Sequence, residues 1–483
     1  MTATVVQQLA DFTYRTRFSD LPDAVVKETK RIVLDSIGCA LAATGEPKSR
    51  AGFDYARLIG GSNDDATVIG AAERLSIFGA AFANGESINA LDMDAVLPPG
   101  HVTPYVLPPI LAIGESLGLS GKDIIASVAI SHEIPNRVGK AMDYLRDVKN
   151  GKVDTPPVIG YSCSIFGAVA AIGKLRGLSS KVLADAVGIA ANISPVNSHR
   201  AWVEHTPSTT IKYLHAGVLT QSAFTASYMA EFGHRGDWQI LDDAEFGYAR
   251  FIGSKRWEKS KITEQLGDVW YFPKEMSYKP YPHCRILHAL LDALTEIVET
   301  NDIQPHEIER IHAWVEGMCE KPIWWNRRIE HVQDAQFSIA HGLAMGAHRV
   351  KPGKAWQDPK LVFSDSVMQL MDKVDHIVHP RYAELVVENP ASRPGYIEVY
   401  ARGQKFVGER RYPRGSNSVS EAGIEFSDAE IIAKFSHNAD GVIPAGNIDA
   451  IVEKVMALDA IDDVRSLMRF ASPARDRVIK EVA

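Results

Sequence analysis

SIFGAVAAIGKLRG, residues 164–177, is the stretch whose reading decides the fold. Its apolar residues return every three to four positions, the helical period. Gly167, Ala168, Ala170, Ala171 and Gly173 supply little bulk, so such a helix can lie close against its neighbours. AAFANGESINA (80–90) has the same character. Working outward, helical patterns run over residues 25–41, 77–90, 105–117, 121–142, 164–175, 180–193 and 212–232. Ser19-Asp20-Leu21-Pro22 reads as the cap of the first of these. Pro-Pro pairs at 98–99, 108–109 and 156–157 punctuate the series. The expectation is an all-helical body over residues 1–274.

The pattern changes near Trp270. A helix is expected over 286–300, then an alternating strand in ERIHAWVEG, where Ile311, Ala313 and Val315 share a face. Helices follow over 335–347 and 364–373. GYIEVYARGQKFVGERRYP reads as two strands turning at Gly403. Residues 275–412 therefore read as a smaller α+β lid with a small antiparallel sheet. Residues 413–483, helical over 428–475, are expected to return to the helical body. The fold class is mostly α.

Bulk properties narrow the function. With 483 residues, 46% hydrophobic and 23% charged, the chain can bury large cores unaided. A net charge of -8 and the lack of a long basic run argue against nucleic acid as partner. No stretch approaches the ~20 apolar residues of a membrane span, and no secretory leader is read at the start. Cys39, Cys163, Cys284 and Cys319 are widely spaced, unlike a zinc ribbon or a cluster-binding motif. A reduced, cytoplasmic setting is expected.

Two stretches place ionisable groups among small residues, Gly and Pro. ALDMDAVLPPGHVTP (90–104) carries Asp92, Asp94 and His101; TTIKYLHAG (209–217) carries Lys212 and His215. Carboxylate, imidazole and ammonium together suit proton transfer beside a carboxylate group. Lys212 at a helix start opposes the macrodipole, so it is either solvated or held to bind an anion. Other polar clusters read differently. His132, Glu133 and Arg137 fit a buried network between helices. Trp324-Trp325-Asn326-Arg327-Arg328 fits a pocket wall or an exposed patch, and His341 with His348 lacks a carboxylate at metal-ligand spacing.

Six motifs in order carry a resemblance: LDSIGCALAA (34–43), NALDMDA (89–95), GAVAAIGKLRGLS (167–179), IKYLHAG (211–217), KPYPHCRILHALLDAL (279–294) and DAQFSIA (334–340). Together they resemble the MmgE/PrpD family, which includes 2-methylcitrate dehydratases, cis-aconitate decarboxylases and an iminodisuccinate epimerase. The resemblance spans nearly the whole chain. It implies a helical domain with a lid, a homodimer, a small carboxylate substrate, and no metal or other cofactor. It carries catalytic roles onto Asp92, His101, Lys212 and Lys279. Substrate contacts are expected from Asp94, His215, His283 and Arg285, the last as a carboxylate clamp.

The chain also departs from the family pattern. Asp94-Ala95-Val96 stands where Asp-Asp-Thr is usual, and no histidine occupies residues 158–161, where decarboxylase members carry one. The resulting expectation is dehydration of a 2-methylcitrate-like hydroxy acid. Asp92 and His101 would be the acid/base pair, with the Asp92 pKa raised by the anionic substrate. Decarboxylation, epimerisation and a non-catalytic carboxylate-binding dimer are the alternatives.

Overall fold

The structure, a computed structural model, describes residues 2–154, 156, 158, 160–196 and 199–473. Residue 157 of the third Pro-Pro pair, residue 159 of the histidine-free stretch and tail residues 474–475 lie outside the described residues. The first part of the chain packs helices Val5–Arg15, Asp23–Ala42, Pro47–Gly60, Ile77–Asn89, Thr103–Leu117, Gly121–Ala141, Ser164–Leu175, Ser180–Ile193 and His215–Glu231. The small residues do what the sequence requires of them. A Cβ on Gly167 would lie 2.1 Å from the Ser131 carbonyl oxygen, so helix Ser164–Leu175 rests directly on the backbone of Gly121–Ala141. One core includes Ile32, Phe82, Ile110, Ile130, Phe166 and Phe224. Phe426, Phe435, Ile451 and Leu467 of the C-terminal segment join that same core.

The first cap differs from expectation. Phe18–Asp20 is a short 3-10 turn, and Pro22 precedes helix Asp23–Ala42 without a side-chain hydrogen bond. Asp23 in the first turn supplies the favourable negative charge instead. Pro47–Gly60 and Val5–Arg15 are helices that the periodicity alone did not single out.

A second core forms where helices His288–Thr300, Ile339–Ala347 and Asp365–Met371 cover a four-stranded sheet. Strand order runs Val374–Val378, Ile308–Val315, Gly395–Ala401, Gln404–Arg410. Arg402 and Gly403, both at positive φ, close the expected hairpin with Ala401 facing Gln404. Two left-handed residues fit the twist of an antiparallel pair. The sheet is mixed rather than antiparallel: Val374–Val378 adds to its edge parallel to Ile308–Val315. Trp202, Val203 and Tyr213 also belong to this second core, so the segment carrying Lys212 sits at the seam between the two.

Glu133 and Arg137 form a structural network, while His132 bonds separately to Thr103 Oγ1 at 2.9 Å and the Val128 carbonyl at 2.8 Å. Arg137 Nε donates to Glu133 Oε1 at 2.6 Å, and Glu133 Oε2 accepts from the Tyr271 and Phe272 amides at 2.9 and 3.1 Å. Among the described residues no helix is long and apolar enough to cross a membrane.

Buried in the first core, Glu86 accepts a 2.7 Å hydrogen bond from the Gly217 amide. Burial pushes its carboxyl up to about 8, so the folded protein holds a proton there at neutral pH that the unfolded chain releases. A raised pKa means stability that is fully present below the unfolded value of about 4.3 and is lost as pH rises through 8. Glu86→Gln keeps the oxygen acceptor and removes the titration. Urea midpoints at pH 6 and pH 9 are expected to fall less for this variant than for wild type. Parallel falls would show that Glu86 does not titrate in this range.

Candidate active site

The backbone of residues 92–101 is held by contacts from several remote segments. Val96 and Ser277 exchange amide–carbonyl hydrogen bonds of 2.8 Å in each direction, which fixes residue 279 beside residue 92. Leu97 and Gly100 do the same at 2.8 and 2.7 Å, closing the Leu-Pro-Pro-Gly turn and presenting His101. A Cβ on Gly100 would lie 1.8 Å from the Tyr161 ring, so only glycine lets that ring pack here. Below the loop, Lys434 Nζ donates to the Met93 carbonyl at 2.8 Å and pairs with Asp35 at 2.6 Å. Asp92 itself lies at φ 52°, a conformation costly for a non-glycine residue, and Lys279 Nζ holds its carbonyl at 2.9 Å.

At the seam the side chains converge. Asp92 Oδ1 lies 2.7 Å from Lys212 Nζ, 2.8 Å from Lys279 Nζ and 3.4 Å from His101 Nε2. Asp94 Oδ2 lies 2.6 Å from His101 Nδ1, and Asp94 Oδ1 accepts from Asn89 Nδ2 at 3.0 Å. An ionised carboxylate only accepts, so His101 Nδ1 carries the proton and Nε2 is left for chemistry. All five charged or titratable groups are buried.

The electrostatics overturn one expectation. Burial alone would raise the Asp92 carboxyl, but Lys212, Lys279 and His101 outweigh it and hold it well below the usual carboxylate range. Asp92 is therefore a permanent anion that keeps the two ammonium groups together, not an acid with a raised pKa. Asp94 is corrected too. Against the cost of burial, His101 and then the lysines hold it ionised, and both its oxygens are engaged by Asn89 and His101. Asp94 therefore orients the imidazole through His101 Nδ1. Burial lowers His101 below its ordinary value, with Asp94 opposing and the lysines adding, so the imidazole is neutral at pH 7.

The remaining expected contacts divide. For His283, Nε2 lies 3.3 Å from the Ser338 carbonyl, buried Nδ1 has no partner, and burial lowers its pKa, opposed by the Asp92 carboxylate. Arg285 does not join the cluster. Its guanidinium is engaged by the Arg414 carbonyl at 2.7 Å, Ser416 Oγ at 2.8 Å and His288 Nδ1 at 3.1 Å, which removes it as a carboxylate clamp. His215 packs edge-on to Tyr105 with ring centroids 5.5 Å apart. Among the described residues no hydrogen bond or ion pair joins it to Asp92. Lys212 lies in the 3-10 turn Ile211–Leu214, which runs directly into the helix His215–Glu231.

Sequence reasoning missed three groups. Asn89 lay inside the quoted NALDMDA motif. Tyr161 lay in the stretch searched only for histidine; its ring meets His101 edge-on at 5.6 Å, and burial pushes its phenol well up, keeping its proton. Asp35 lay in LDSIGCALAA, read there only as helix. Trp324, from the aromatic cluster, packs in the second core against Trp202 and Phe337, while Trp325 is exposed and stacks on His376. His341 and His348 bond to backbone carbonyls and Ser366.

Asp92, Asp94 and His101 do offer three buried ligand atoms within 4.8 Å of one another. Their donor set suits a cation poorly. Asp92 Oδ1 already accepts from two ammonium groups, and His101 Nδ1 faces Asp94, so an added ion would sit against fixed positive charge. The arrangement suits an anion whose charge displaces or shares the lysines, beside one imidazole able to exchange a proton.

A mostly helical body, a smaller α+β unit and a buried ion cluster at their seam define the class to which this chain belongs. Residues 7–260 match the MmgE/PrpD N-terminal domain and residues 281–458 the MmgE/PrpD C-terminal domain; the chain belongs to the MmgE/PrpD family. It is similar to the cis-aconitate decarboxylase of Mus musculus, 26% identical over 304 residues, covering 62% of this chain and 59% of the relative. The Homo sapiens cis-aconitate decarboxylase is 26% identical over 305 residues, covering 62% and 60%. The cis-aconitate decarboxylase-like protein oryM of Aspergillus oryzae is 24% identical over 501 residues, covering 97% of each chain.

Proposed function

We propose that this protein is a lyase acting on a small polycarboxylate, with decarboxylation of a cis-aconitate-type acid as its reaction. One observation carries the reading: the cluster contains a single imidazole fitted for proton transfer, His101, aimed at a carboxylate that two lysines hold ionised. Loss of CO₂ leaves an electron pair on carbon, which needs nearby cations and one proton. Lys212 and Lys279 supply the positive charge where it develops, and His101 Nε2 supplies the proton. The neutral imidazole of the free protein gains proton affinity when an anionic substrate enters and opposes the effect of the lysines. The names of the relatives support the same chemistry.

Dehydration of a 2-methylcitrate-like hydroxy acid is the second reading. It needs a base and also an acid for the departing hydroxide. Tyr161, protonated and beside His101, is the observation that favours it. A cytoplasmic homodimer working without a metal is part of the same proposal.

The test is a panel of cis-aconitate, 2-methylcitrate, citrate and iminodisuccinate, followed by product NMR in deuterated water. Decarboxylation gives CO₂ and one deuterium on carbon; dehydration gives an alkene without CO₂; epimerisation gives exchange alone. Chelator treatment is expected to leave turnover unchanged, since the lysines carry the charge stabilisation. Activity that disappears with chelation and returns with a divalent ion would replace that role for Lys212 and Lys279.

A further inference from the structure

Lys48, in helix Pro47–Gly60, is partly buried beside the cluster without belonging to it. Its ammonium donates to Gln333 Oε1 at 2.9 Å and Gln336 Oε1 at 3.2 Å. It stands 4.1 Å from the centroid of the Tyr213 ring, and Lys212 stands 4.5 Å from the same centroid. Tyr213 Oη donates to Gln336 Oε1, whose amide nitrogen in turn donates to the Ala90 carbonyl at 3.3 Å. One polar chain thus runs from Lys48 through Tyr213 and Gln336 to the loop that holds Asp92. Among the described residues no carboxylate lies within ion-pair distance of Lys48. Gln333 Nε2, buried next to it, has no hydrogen-bond partner. A cation ringed by neutral oxygens and an aromatic face, beside an unpaired amide donor, lacks only its anion.

We propose that Lys48 and the Gln333 amide nitrogen form a distal carboxylate subsite, reached across Tyr213 from the Lys212–Lys279 pair, which selects tricarboxylates over dicarboxylates. This rests on the polycarboxylate reading above and adds a determinant of specificity to it. Burial pushes Lys48 down to about 7, with Glu46 opposing and Lys212 adding to the drop, as befits a cation with no close counter-charge.

The test is calorimetric binding of two unreactive acids, propane-1,2,3-tricarboxylate and glutarate. They share a five-carbon diacid chain and differ by the middle carboxylate. Wild type is expected to prefer the tricarboxylate. Lys48→Met should erase a preference of roughly 10- to 100-fold, the worth of one charge-assisted hydrogen bond, while Lys48→Arg retains most of it. Gln333→Glu, which sets a like charge in the subsite, should produce the same loss and serves if Lys48→Met folds poorly. Were Lys48 only a strap between the two cores, Lys48→Met would lower the melting temperature of the empty protein and leave the ratio of the two Kd values unchanged. That result overturns the subsite and leaves the lyase reading standing. Wild type that binds neither acid overturns both.

Discussion

His101→Asn is expected to lower kcat by about 10²- to 10⁴-fold, the usual contribution of a positioned general acid or base. Binding of an unreactive tricarboxylate should change little. Asparagine keeps a donor toward Asp94 and nearly the volume of the site, so the lysines and the loop remain in place. What disappears is the imidazole of the cluster and its proton transfer. The pH profile of the wild type then distinguishes the reactions. If His101 quenches a carbanion, it must hold its proton with substrate bound, and kcat falls as pH rises through its pKa in that complex. If it removes a proton in a dehydration, kcat falls as pH drops. The decarboxylation reading predicts the alkaline limb, absent from His101→Asn. Wild-type turnover by this variant would remove His101 from the mechanism.

The sign for stability runs separately from that for catalysis. Burial lowers His101 in the folded protein, so the unfolded chain binds the extra proton as pH drops through the ordinary value of about 6.5. The stability associated with a neutral His101 is therefore lost on the acid side.

The fold was legible where residues act locally. Glycine and alanine in SIFGAVAAIGKLRG dictate close helix packing wherever that helix docks, and Arg402-Gly403 determines its hairpin within four residues. Val374–Val378 was not legible: five residues with two buried side chains are too short a signal, and the parallel partner lies some sixty residues upstream. Helix Pro47–Gly60 buries only four of its residues, so its periodicity is faint. The same distinction governs the site. Residue types that carry chemistry could be read in Asp92, His101, Lys212 and Lys279. Their protonation could not, because it depends on two lysines from segments 120 and 187 residues away meeting near one carboxylate. That meeting turned an expected acid into a fixed anion. Arg285 failed for the complementary reason, since its donors found the Arg414 carbonyl, Ser416 and His288, partners that no sequence pattern announces.

Lys279→Met is expected to be the most damaging single change, in both stability and turnover. Removing one partner of a buried ion pair costs about 3–5 kcal/mol, because the remaining charge is left without compensation. Here the same ammonium also holds the carbonyl of Asp92 at positive φ, so loop geometry is lost with the charge. Lys212→Met removes only the side-chain contact and should destabilise less. Turnover should fall by a further 10²- to 10³-fold, roughly the cost of deleting one preorganised group that stabilises developing negative charge. The depressed Asp92 pKa gives wild type stability that is present above about pH 4 and lost as pH falls below it. Urea denaturation at pH 7 and at about pH 3 should show the wild-type advantage over Lys279→Met shrinking at the lower pH. The double variant Asp92→Asn/Lys279→Met separates the two roles. With the anion gone, much of the lost stability should return, but the carbanion still lacks its cation, so activity should not. Recovery of both together would mean that Lys279 serves the fold alone, and the positive charge required by the reaction would then fall to Lys212.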